Sequence, residues 1–221
     1  MLFKNGHMDI INNFNKIKQQ IKNGTSENVE IIAVSKTFSK DHIAPLIDYG
    51  HKHFGENKVQ EAEKKWTDIK KLTKDLKLHM IGRLQSNKAK KAVELFDYIH
   101  SLDNIKLAKE LSKRESEKNK KLNYFIQINL GSEDQKGGIE IKDLEEFYNY
   151  CVKNLKLSII GLMAIPPNDG KPEQYFEKIS NLNKELGLKK LSIGMSNDYL
   201  LALKYNASHV RVGSAIFGKR A

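Results

Sequence analysis

At 221 residues the chain can bury the core of one large domain or two small ones, and no Pro-, Gly- or Ser-rich block marks a linker. Its formal charge of +11 raises nucleic acid as a partner, yet Arg stands only at Arg83, Arg114, Arg211 and Arg220, and the other 34 of the 38 basic residues are Lys. Nucleic-acid readers favour the forked guanidinium, whereas lysines scattered along helical faces read as a solvated surface.

The single cysteine, Cys151, excludes a disulfide framework and a cysteine metal cluster, and it reads as a buried thiol. No apolar run approaches a membrane span, so the chain is expected in the cytoplasm.

In chain order, Asp9 is expected to cap a first helix whose apolar face is Ile10, Phe14, Ile17 and Ile21, with Gly24 closing it. Ile31-Ile32-Ala33-Val34-Ser35-Lys36-Thr37 follows, an apolar, β-branched run that suits a strand covered on both faces. Ser39 or Asp41 opens the next helix, which carries Ile43, Leu46 and Ile47 and ends at Gly50. Pro45 favours the later cap, because proline fits near a helix start.

A short strand over 51–57 reaches a turn, and Val59, Ala62, Trp66 and Ile69 mark a helix face. Residues 78–82 read as a third strand, 86–95 as a helix and 98–101 as a fourth strand. Asp103 then caps a helix carrying Ile105, Leu107, Ala108 and Leu111. The fifth strand spans 122–129, a polar loop 131–138, and a helix passes through Leu144, Phe147 and Cys151. Strands at 157–164, 191–194 and 209–213 complete the set, with helices over 172–186 and 198–205. Eight strand–helix units at a spacing of about 25 residues argue for parallel strands closed into a (β/α)8 barrel, preceded by one extra helix, as a single domain over 1–221.

Lys36 falls at the carboxyl end of the first strand, where barrels place their chemistry, and a lysine in a confined site can form an imine with an aldehyde. Gly194-Met195-Ser196-Asn197 leaves strand seven and Gly213-Ser214-Ala215 leaves strand eight; barrels often bind phosphate with those two loops, though ordinary turns look alike. Arg211 sits between Val210 and Val212 and must be paired if buried, either in an ion pair at the barrel floor or against a ligand. His51 and His53 lack a third ligand at metal spacing, and His79 and His100 read as satisfied core histidines. Glu56 and Asn57 follow strand two and face either the mouth or, for Asn57, the next helix as its cap.

The segments 33–37, 54–61, 79–88, 161–166, 191–196 and 210–218, in that order, resemble the pyridoxal phosphate homeostasis proteins. The resemblance implies a barrel like the amino-terminal domain of alanine racemases, with pyridoxal 5′-phosphate held as an imine on Lys36. It further implies that Ser196, Gly213 and Ser214 bind the phosphate, that Arg211 faces the pyridine nitrogen, and that Asn57 lies near the ring substituents. Arg83 and Gly137 depart from the common pattern, away from the phosphate cradle.

Related racemases carry a second, β-rich domain, for which no room is expected before Ala221. Without an acid–base group on each face of a substrate, racemisation lacks its machinery. The expectation is therefore a monomeric carrier that buffers or delivers the cofactor, with no catalytic residue and no metal. Pyridoxal-phosphate-dependent apoenzymes would be its recipients. A small amino-acid racemase is the alternative.

Overall fold

The computed structural model describes residues 2–131 and 137–218. Its strands are β1 (Glu30–Val34), β2 (His53–Glu56), β3 (Lys77–Met80), β4 (Tyr98–Leu102), β5 (Asn123–Gln127), β6 (Ser158–Met163), β7 (Lys190–Met195) and β8 (His209–Val212). They form a closed parallel barrel in sequence order, so the expected (β/α)8 topology is observed. Closure is made by β1, which pairs with β2 on one side and with β8 on the other, from Glu30 opposite His209 to Ala33 opposite Val212.

The helices among the described residues are α1 (Leu2–Gly24), α2 (Lys40–Asp48), α3 (Val59–Leu72), α4 (Ala89–Leu95), α5 (Ile105–Lys118), α6 (Leu144–Asn149), α7 (Pro172–Glu185), α8 (Tyr199–Leu203) and α9 (Ser214–Phe217). The extra helix α1 buries Ile10, Phe14, Ile17 and Ile21 against the rest of the core, as its periodicity predicts. Cys151 is fully buried, and burial pushes its thiol up to about 12. A buried thiol with that shift is an inert packing group.

Several expected helix starts shift. Asp9 lies inside α1 rather than at its cap, because the helix already begins at Leu2. Ser39, not Asp41, caps α2: its hydroxyl accepts the His42 N–H at 3.2 Å, and Pro45 is carried inside the helix. Asn104, not Asp103, caps α5 by accepting the Leu107 N–H at 2.8 Å, and Ile105 turns to solvent. The helix expected over 198–205 is regular only at 199–203. The strand expected from His51 begins at His53. Part of the polar loop, residues 132–136, lies outside the described residues.

Inside the barrel the usual branched apolar filling is replaced in part by polar groups. His79, His100, His209, Ser192 and Arg211 are all buried there, together with Ile32 and Phe125. Glycine makes the room at one tight point. A Cβ at Gly161 would stand 1.9 Å from the Lys190 carbonyl oxygen on β7 and 3.0 Å from the Phe125 ring on β5. The backbones therefore touch where any side chain would intrude. Gly161→Ala is expected to destabilise the fold by more than the ~1–3 kcal/mol of ordinary overpacking, because the obstacle is backbone that cannot rotate away. A urea denaturation midpoint equal to that of the unsubstituted chain would contradict this packing.

Candidate functional site

Lys36 lies two residues beyond the end of β1 and is half-buried at the carboxyl-terminal mouth of the barrel. The turn that carries it is pinned on both sides. Ser35 is fully buried; its N–H donates to the Gly55 carbonyl at 3.0 Å, and its hydroxyl donates to Glu56 Oε1 at 2.7 Å. The Ser35 carbonyl in turn accepts from Lys65 Nζ at 2.8 Å. Beyond Lys36, Thr37 adopts a left-handed φ of 69° and its N–H donates to Glu61 Oε1 at 2.6 Å. A lysine flanked by two such anchors has its backbone direction fixed, which confines where its amine can reach.

Glu56 organises this clamp. Its Oε1 also accepts from Lys65 Nζ and from Trp66 Nε1, each at 2.9 Å, with the carboxylate wholly buried and Lys65 nearly so. Strand alternation explains the direction: Phe54 and Glu56 point to α3, while Gly55 faces the Ile32 side chain inside. The reading that had Glu56 facing the mouth is therefore corrected. Asn57 has the opposite parity, and its Oδ1 is buried without a hydrogen-bond partner among the described residues. Gly82 allows that packing, since a Cβ there would stand 2.4 Å from the Asn57 carbonyl oxygen.

On the other flank of β1, the turn after β8 meets the turn after β7. Ser196 Oγ accepts the N–H of Gly213 at 3.2 Å and of Ala215 at 3.4 Å, which draws Ser196, Gly213 and Ser214 together. A Cβ on Gly213 would lie 3.3 Å from both the carbonyl oxygen and the Cβ of Val34, so this turn rests directly on the end of the strand that leads to Lys36. Gly194, the last residue but one of β7, takes a φ of +90° just before the turn that carries Ser196.

Arg211 is buried two residues below that turn. Its Nη1 donates to the Ser192 carbonyl at 2.8 Å and to Ser192 Oγ at 2.5 Å, and its Nη2 donates to the Ala164 carbonyl at 2.9 Å. Burial pulls it down to about 10, which leaves it charged at neutral pH. The floor ion pair considered for it is not what forms: these partners are neutral oxygens on β7 and beyond β6. Among the described residues no cluster of three or more His, Cys, Asp or Glu side chains suits a metal ion.

Sequence reasoning placed Lys36, Asn57, Ser196, Arg211, Gly213 and Ser214 near one mouth, and the barrel brings their strand ends together. It missed Lys65 and Glu61, and it read Trp66 as simple core. The signal was Glu56 itself, a carboxylate that must find donors once buried.

The family profile described as "Alanine racemase, N-terminal domain" matches residues 8–221. A protein of Aquifex aeolicus named pyridoxal phosphate homeostasis protein is 39% identical over 207 residues, covering 89% of this chain and 90% of that one. Its namesake in Escherichia coli K12 is 35% identical over 227 residues, covering 96% and 97%. The chain belongs to the pyridoxal phosphate homeostasis proteins. PipY of Synechococcus elongatus PCC7942, solved with PLP bound, superposes on this member with a TM-score of 0.86 at 34% identity, covering 95% of this chain and 100% of that one. No helix among the described residues of this homeostasis protein is long and apolar enough to cross a membrane.

Two outcomes are expected of this member. Lys65→Met leaves the Glu56 carboxylate buried and uncompensated, so it should cost about 3–5 kcal/mol in chemical denaturation; a loss below about 1 kcal/mol would mean that the clamp is not closed. Acid should also destabilise the protein through its buried imidazoles. Burial holds His79 and His100 well below the usual imidazole range and His209 near about 3. The unfolded chain takes up these protons below about pH 6.5 while the folded chain does not, so stability falls as pH falls through that window. Each such group removes about 1.4 kcal/mol per pH unit. Urea midpoints that stay level between pH 7.5 and 5 would refute this.

Proposed function

We propose that this chain binds pyridoxal 5′-phosphate covalently through the Lys36 amine and acts as a carrier that buffers or delivers it. The observation that carries the reading is the convergence of Lys36, Asn57 and the Ser196–Gly213–Ser214 turn on one rim, on either side of the end of β1.

The residues fit the group. Ser196 Oγ accepts the amides of Gly213 and Ala215 and keeps its own hydrogen to donate, and with the neighbouring Ser214 hydroxyl it can serve a phosphate. Asn57 offers a buried oxygen that lacks a partner among the described residues. When bound, the cofactor supplies an aldehyde for an amine and a conjugated ring that draws electrons. Ser196, Gly213 and Ser214 would hold its phosphate, and Asn57 its ring substituents. Arg211, facing the ring nitrogen as a fixed cation, would oppose protonation there and weaken the electron demand on any attached amino acid. Holding without turnover is what a carrier requires. The same reading makes the protein a monomer whose recipients are pyridoxal-phosphate-dependent apoenzymes.

Borohydride reduction of the loaded protein followed by peptide mass spectrometry tests the attachment. The adduct is expected on Lys36 and is expected to vanish, with the yellow absorbance, in Lys36→Ala. An adduct of equal yield on another lysine would overturn the assignment. D-Alanine formed from L-alanine by the loaded protein, and abolished by Lys36→Ala, would replace the carrier with a racemase.

A further inference from the structure

The barrel interior holds a continuous hydrogen-bonded column that the proposed binding site does not use. It starts at the amino-terminal end, where Glu30 Oε2 lies 2.8 Å from His53 Nε2, both groups partly exposed. That pair lines a pocket of about 410 Å³ shared with His51, Lys52, Lys18 and Phe14. His53 Nδ1 lies 3.0 Å from His79 Nε2, and His79 Nδ1 lies 2.9 Å from His100 Nε2. His100 Nδ1 then reaches across the barrel, from β4 to β7, and meets Ser192 Oγ at 2.9 Å. Ser192 Oγ is the atom that accepts from Arg211.

The carboxylate end fixes the direction of the whole column. Glu30 only accepts, so His53 donates to it from Nε2 and, as a neutral imidazole with one donor and one acceptor, accepts at Nδ1. His79 must then donate from Nε2 to His53 Nδ1, and His100 from Nε2 to His79 Nδ1. His100 Nδ1 is left to accept the Ser192 hydroxyl hydrogen, while Ser192 Oγ accepts from Arg211, which has donors only. Every contact is satisfied and none competes. Burial keeps His79 and His100 neutral, as this order requires.

We propose that Glu30, His53, His79, His100 and Ser192 are positioning residues for Arg211, a column of single direction through which the Glu30–His53 pair at the floor governs the guanidinium at the mouth. Adding one proton to His53 reverses the order. With both nitrogens protonated, His53 donates to Glu30 and to His79 Nε2; His79 then donates from Nδ1 and His100 from Nδ1. One proton is added, the rings exchange which nitrogen bears hydrogen, and the Ser192 hydroxyl hydrogen turns away. Ser192 Oγ then serves two donors at once, and Arg211 must share one of its three acceptors, keeping the Ser192 and Ala164 carbonyls.

Other titratable groups face the column from neighbouring elements. His51 stands 6.4 Å from His53 between ring centres, Tyr98 stacks on His79 at 4.2 Å, and His209 lies 6.2 Å from His100. Glu30 and Lys190 act in turn on His209, and Glu30 and Asp97 on Tyr98.

Two-bond nitrogen–proton NMR of ¹⁵N-histidine protein, free of ligand, reads the tautomers directly. At pH 7.5 His53, His79 and His100 are expected as Nε2–H forms; an Nδ1–H form of His100 would overturn the proposal. His53→Phe removes the acceptor for His79 and is expected to convert His79 and His100 to Nδ1–H, although residue 53 touches neither His100 nor Arg211. His53→Gln can accept from His79 and donate to Glu30, so it should keep the original order. An unchanged His100 in a folded His53→Phe variant, or a reversed one in His53→Gln, would refute the coupling. If His53→Phe does not fold, the unsubstituted protein and His53→Gln still decide.

The consequence at the mouth rests on the proposed binding site and has its own readout. In protein loaded with pyridoxal phosphate, His53→Phe should shift the pH midpoint of the visible band by about half a unit or more, and His53→Gln should not. Equal midpoints beside reversed tautomers would sever Arg211 from the column. Loss of the visible band in the unsubstituted protein would instead count against the binding reading alone.

Discussion

Backbone pairing between β1 and β8 is the constraint on which the mouth depends. It sets Ala33 opposite Val212, so that the turn after Val212 rests on Val34, just before Lys36. The two segments come from nearly opposite ends of the chain, and no local interaction brings them together. A slip of one residue would carry Arg211 from the barrel interior into the helix layer and turn His209 out with it. The register is held because both alternatives are costly: a guanidinium among the apolar residues under the helices, or Val210 and Val212 in a polar interior.

The second constraint is the buried pair of Glu56 and Lys65. It ties α3 to β2 and, through Ser35, to the end of β1. Such a pair is a poor source of net stability, since desolvation consumes most of the attraction. What it offers is position. Three donors converge on one carboxylate oxygen, and the backbone before Lys36 can move only if they part. A lysine that must present its amine reproducibly gains from that rigidity more than from added apolar packing.

The alternation of strands and helices was legible because its signals are local. Runs such as Ile31–Val34 and helix faces such as Val59, Ala62 and Trp66 carry their own periodicity. The caps were less legible, since Asp103 and Asn104, or Ser39 and Asp41, are equally good acceptors and only the path of the entering chain selects one. Parity was harder again. Glu56 and Asn57 are adjacent, and which of them meets the mouth follows from the pairing of β2 with β1, which turns Gly55 towards the Ile32 side chain and Glu56 away from it. The histidine column was invisible. His53, His79, His100 and Ser192 come from four strands, and the last contact crosses the barrel. Reading them as satisfied core histidines was sound for His79 and His100, yet it could not reveal that they satisfy one another.

Imidazole suits that interior for a physical reason. A hydroxyl can rotate, so a row of serines has no fixed polarity and can break its order at any member. A lysine would bring a charge that needs an anion at every level. The two nitrogens of imidazole are fixed in place by the packed ring, here by Tyr98 on His79 and Phe125 on His100, and only the hydrogen between them is free to choose. Stacking therefore sets geometry while the acceptor-only carboxylate end sets order. A buried polar network is costly when one member lacks a partner and rigid when all are paired. Terminating this one on a guanidinium above and a carboxylate below is what lets His79, His100 and Ser192 be paired and buried at once.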